Sequence, residues 1–128
     1  MLTRSLTDLP IVIRSLGLKT AKVIPPASLY LDCRSLVDPS GSGLTGDNTH
    51  VQTSVMLASA QAVKGMIDQT LHALTHVRAR RKHKPDPFDE PFEILCMCAW
   101  GIHRSVAMKY ILLRSLLQHG YKNVKVIK

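Results

Sequence analysis

The chain has 128 residues, 45% of them hydrophobic and 20% charged, with a formal net charge of +8. That balance suits one soluble domain with a modest core, and a pI near 9.8 favours anionic partners such as nucleic acid, nucleotides or sugar phosphates. There is no stretch of about 18 consecutive apolar residues to span a bilayer, and Met1 to Asp8 lacks the apolar core of a secretory signal, so the expected location is cytoplasmic, with no membrane partner.

Ile11 to Leu16 is a short apolar run that ends at Gly17, and it predicts a first strand followed by a turn. Pro25-Pro26 then imposes extended or irregular chain before Ser28 to Arg34, a second strand with Asp32 and Arg34 at its carboxyl end. Residues 39–48, rich in Gly and Ser, predict a flexible loop. Asn48 or Thr49 caps a long helix carrying Val51, Val55, Ala58, Ala62, Met66, Leu71, Leu74 and Val77 on one stripe, expected to run unbroken to about Arg80. Its end is basic: Arg78, Arg80, Arg81, Lys82 and Lys84 precede an acidic, Pro-rich link, so residues 78–91 pass from basic to acidic. Positive charge is ordinary at a helix carboxyl end. Should this stretch bind RNA, it would do so through phosphates, without reading sequence.

Phe92 to Cys98 predicts a third strand, Ser105 to Gln118 a helix closed by Gly120, and Val124 to Ile127 a fourth strand. Strands alternating with helices predict a single-domain, three-layer α/β fold, with a mainly parallel sheet of about four strands covered on both faces. Ligands in such folds bind beyond the carboxyl ends of the strands, where Asp32, Arg34 and the turn after Cys98 would meet, with Lys19 near them.

That turn is the most informative stretch. In Cys98-Ala99-Trp100-Gly101-Ile102-His103-Arg104-Ser105 a Cys, two intervening residues, a Gly, two more intervening residues and an Arg-Ser pair lie between strand and helix. By average residue frequencies such spacing arises by chance in on the order of one chain per thousand of this length. It suits a phosphatase-like phosphate-binding loop: main-chain N–H groups face one point, the helix N-terminus adds positive potential, and Arg104 forks onto two oxygens.

A plainer alternative is a tight turn in which Arg104 pairs with a carboxylate such as Asp32. The same spacing belongs to cysteine-dependent phosphatases, in which a thiolate attacks phosphorus. Cys98 and Arg104 are the catalytic candidates of that alternative only. Met97 stands where those enzymes usually have His, and no one of Asp38, Asp47, Asp86 and Asp89 is singled out as a general acid. Trp100 reads either as core cover or as a surface that stacks on a sugar or base.

Cys33, Cys96 and Cys98 are too few for a disulfide framework and are expected as reduced thiols. No ligand spacing suggests a metal, and no cofactor is expected.

Four stretches, in order, resemble the C-terminal domain of the RapZ family of bacterial nucleotide-binding proteins and RNase adaptors. They are Ser15-Leu-Gly17-Leu-Lys19, Leu31-Asp32-Cys33-Arg34 with Asp38-Pro39, Leu44-Thr45-Gly46-Asp47, and Cys98 to Val106. The resemblance implies an α/β unit that binds an amino-sugar phosphate or other phosphorylated small molecule and contributes to RNA binding. The implied ligand residues are Cys98 to Ser105, Asp32, Arg34, Thr45 and Gly46. It admits RNA, a nucleotide-binding protein or a second copy of the chain as further partners. The sequence departs from the family pattern in carrying Ala99-Trp100 where small residues usually follow the cysteine, and in lacking the kinase-like half with its phosphate loop, so ATP hydrolysis is not implied.

Overall fold

In the computed structural model, residues 9–38, 44–83 and 90–127 are described, the side chains at 82 and 83 excepted. Four strands form one sheet: β1 (Ile11–Gly17), β2 (Leu29–Asp32), β3 (Phe92–Cys98) and β4 (Val124–Val126). All pairings are parallel, in the order β2-β3-β1-β4. Three helices accompany them, α1 (Thr49–Ala58), α2 (Ala60–His83) and α3 (Arg104–Gln118). The expected single-domain α/β architecture with a four-stranded parallel sheet is therefore present. No helix among the described residues is long and apolar enough to cross a membrane.

The chain steps from β2 to β3 through α1 and α2, and onward past β1 to β4 through α3, in one direction across the sheet. Right-handed crossovers made in one direction put their helices on one face. Ile11, Ile13, Leu31, Ile94 and Cys96 duly share a single core with Val55, Val63, Leu74, Met108 and Leu112. The β1-to-β2 connection runs back the other way and crosses the opposite face, where it carries no helix. Pro25, Pro26 and Ala27 lie there over Arg14, Glu93 and buried Leu95 around a pocket of about 260 Å³. The sheet is thus covered on that face too, by irregular chain in place of a helix, because Pro25-Pro26 denies a helix its N–H groups and φ freedom.

Two further expectations change. The second strand ends at Asp32 rather than Arg34, because the Asp32 carboxylate accepts the Arg34 N–H at 3.1 Å and turns Cys33–Ser35 into a 3₁₀ turn. The long helix breaks at Ser59, whose φ of −130° and ψ of 38° leave the helical region. The Ser59 hydroxyl accepts the Val37 N–H at 2.8 Å, and buried Gln52, Ser59 and Thr70 occupy core-facing positions that an apolar-only reading of the stripe passes over. Asn48 caps α1 by accepting the His50 N–H at 2.8 Å. Gly120, at φ +90°, closes α3: its N–H donates to the Leu117 carbonyl and that of Tyr121 to the Leu116 carbonyl, which is a Schellman motif.

Candidate functional site

Gly17 and Cys98 are register partners at the carboxyl ends of β1 and β3. The main chains beyond them touch. A Cβ on Gly17 would lie 2.4 Å from the Trp100 carbonyl oxygen, and one on Gly101 would lie 2.5 Å from the Gly17 nitrogen. Gly101 also has φ +72°, where a side chain is strained. The Leu18 and Lys19 N–H groups donate to the Cys98 and Ala99 carbonyls, both at 2.8 Å. On the far side, the Gly46 N–H donates to the Ile102 carbonyl at 2.9 Å, and its missing Cβ makes room for the first turn of α3. Buried Gln52 on α1 holds Gly46 in turn, its Nε2 donating to the Gly46 carbonyl at 3.0 Å. The turn Cys98–Ser105 is thus clamped between two glycine-bearing segments, and Gly17 and Gln52 belong to its support.

Cys98 is 2% exposed. Its Sγ accepts the Gly101 N–H at 3.2 Å and lies 3.1 Å from the hydroxyl of buried Ser105. Burial pushes the thiol up, but the Ser105 hydroxyl and N–H, the Gly101 N–H and the Arg104 charge outweigh it, and the pKa falls below the ordinary thiol value. Two residues earlier on the same strand face, the Cys33 thiol and burial hold Cys96 well above that value. All three cysteines are free and buried.

Among the described residues, the N–H groups of Trp100, Ile102 and His103 have no acceptor. Such orphan donors before a helix of 15 residues, with the macrodipole behind them, are the elements from which anion sites are made.

Arg104 donates from Nη1 to the Arg34 carbonyl at 2.9 Å rather than to Asp32. Among the described residues, its other guanidinium N–H groups have no acceptor. Arg34 turns its guanidinium onto Asp32, with Nη2 2.7 Å and Nε 2.9 Å from the carboxylate oxygens. Those bonds hold the Asp32 carboxyl below its ordinary value despite some burial, with Arg104 adding to the effect. Residues two apart in a strand share a face, and the 3₁₀ turn at Cys33–Ser35 keeps Asp32 and Arg34 in direct contact.

His103 sits at the N-cap of α3 without a capping side-chain bond, its Nδ1 3.8 Å from the Asp38 carboxylate. The Thr45 hydroxyl donates to Asp47. Trp100 is 57% exposed, so it does not cover the core, and Lys19 Nζ stands 5.0 Å from its ring centroid. Ile102 is exposed as well.

The basic end of α2 stands apart from this site. Arg78 is half-buried against Tyr121, donating to its hydroxyl at 3.3 Å with the guanidinium 5.6 Å from the ring centroid. Arg81 donates to the Glu90 carbonyl at 2.7 Å, and Arg80 is exposed. The Lys82 side chain, Lys84 and the loop acids Asp86 and Asp89 lie outside the described residues, as does 39–43 of the Gly/Ser loop.

Lys109 was not legible as a core residue. It is 3% exposed, and its Nζ donates to the Ser15 hydroxyl at 3.0 Å and the Ile127 carbonyl at 2.8 Å, tying α3 to β1 and the chain after β4.

A one-core parallel α/β domain whose clamped strand–turn–helix lies at the carboxyl edge of the sheet defines the class of this protein. The family model for the RapZ C-terminal domain matches residues 9–128, and the chain belongs to that family. At the family level it is a nucleotide- or sugar-phosphate-binding adaptor domain. No curated protein matches the chain.

Proposed function

We propose that the chain is a sensor or adaptor domain that receives the phosphoryl group of a small molecule, an amino-sugar phosphate or a nucleotide, in the turn Cys98–Ser105. The observation that carries this is the set of unaccepted N–H groups at Trp100, Ile102 and His103 beside an Arg104 with guanidinium donors to spare, on a main chain held by Gly17 and Gly46. A tetrahedral oxyanion supplies the acceptors that these donors lack. Ser105 and Gly101 hold the thiol, while Asp32 and Arg34 bound the β2 side. The Arg104→Ala variant keeps its melting temperature without ligand, since the side chain makes a single exposed contact. It loses most of the melting shift that phosphate or a sugar phosphate confers on the parent, about 10- to 100-fold in affinity for a charged bidentate contact. Equal ligand shifts in both proteins remove the turn from consideration.

A second reading, a cysteine-based phosphatase, is favoured by one observation, the lowered Cys98 pKa. It predicts slow turnover of an aryl phosphate that disappears in Cys98→Ser. The binding module predicts none in either protein. RNA binding, which family resemblance suggests, would be carried by exposed basic side chains such as Arg80, and salt-sensitive RNA retention tests it.

A further inference from the structure

Trp100 is the one tryptophan in the chain, and it combines two properties. Its indole is 57% exposed, while its main chain is closely confined. The Trp100 carbonyl lies against Gly17 with no room for a Cβ, the preceding Ala99 carbonyl accepts the Lys19 N–H, and the following Gly101 N–H is bound to Cys98 Sγ. An aromatic ring on a backbone confined by these contacts is a presented surface. Among the described residues, more than half of this large apolar side chain is left in water. Lys19 Nζ, 5.0 Å from the ring centroid, places a cation over the indole.

The open N–H groups of Ile102 and His103 follow two and three residues later, at no more than ~3.5 Å of chain per residue. Indole and donors therefore lie within reach of one small ligand. Resting on the reading that the turn receives a phosphoryl group, we propose that Trp100 and Lys19 form a stacking shelf for the base of a mononucleotide whose phosphate occupies that turn. A nucleobase offers a flat π-face that stacks on an indole already polarised by the ammonium group. A sugar offers C–H groups, which compete with that ammonium for the same π-density.

The single tryptophan makes the test direct. The full chain is titrated with inorganic phosphate, ribose 5-phosphate and adenosine 5′-monophosphate, following indole fluorescence and the melting temperature. The expected result is quenching by the nucleotide and an affinity about tenfold or more above that of ribose 5-phosphate, as base–aromatic stacking provides. Trp100→Leu lowers nucleotide affinity to that of ribose 5-phosphate, Trp100→Phe restores part of the difference, and Lys19→Met reduces it. Equal affinities for nucleotide and ribose 5-phosphate in the parent, with phosphate still raising the melting temperature, overturn the stacking shelf alone. No melting shift with any of the three probes overturns the phosphate reading and the shelf with it.

Discussion

Two basic places in this molecule invite comparison: the turn after β3 and the carboxyl end of α2. The end of α2 has the denser charge, with Arg78, Arg80 and Arg81 within four residues. Much of it is committed within the protein, since Arg78 lies on Tyr121 and Arg81 holds the Glu90 carbonyl. A helix carboxyl end also presents carbonyl oxygens, so its cations are matched locally. The turn has fewer cations but sits at a helix N-terminus, and glycine contacts on both sides hold its donors in place. On the proposed reading charge density alone misranks the two; what distinguishes a candidate anion site is donors that are both free and held in place by neighbouring main chain.

Three measurements separate the two basic places. The largest effect is expected from Gly101→Ala. A Cβ there meets the Gly17 nitrogen at 2.5 Å and forces a side chain to φ +72°. Strain and overpacking together cost about 2–4 kcal/mol, read as a lower urea midpoint together with loss of the phosphate-dependent melting shift. A variant that stays as stable as the parent means that the clamp is not rigid.

Next, Arg78→Ala uncovers Tyr121 and removes a hydrogen bond, lowering stability by about 1–2 kcal/mol, while phosphate affinity stays within twofold. A matching fall in phosphate affinity would erase the distinction between the two basic places.

The smallest effect concerns pH. The folded pKa of Cys98 lies below its ordinary value, about 8.5 unfolded. Its contribution to stability is then fully present above the unfolded value and is lost as pH falls through the folded one. The stability gap between the parent and Cys98→Ser should widen as pH rises toward that value, as followed by urea denaturation. Thiolate absorbance should assign the first deprotonation to Cys98, not Cys96. A gap independent of pH between 6 and 8.5 contradicts the role given to Ser105, Gly101 and Arg104.

Much of the fold was legible because local rules suffice for it. Phe92 to Cys98 is a strand by composition, Asn48 is a cap by side-chain chemistry, and Gly120 is a left-handed closure by its missing Cβ. The break at Ser59 was not legible, since it depends on a hydrogen bond to Val37, 22 residues away in sequence. Nor was the burial of Lys109, whose partners Ser15 and Ile127 come from the two ends of the chain. For the candidate site, the spacing from Cys98 to Ser105 singled out the strand–turn–helix that Gly17 and Gly46 clamp, and the exposure of Trp100 did not follow from it.

Periodicity, caps and turn residues act over a few neighbours, so the order of elements, the parallel α/β class and the position of the strand–turn–helix could be read directly from the amino acids. Folding in three dimensions alone settled which face the helices share, that Arg34 serves Asp32, and that Gly17 and Gly46 grip the turn. Each of these depends on contacts between segments distant in sequence, whose geometry local preference does not encode.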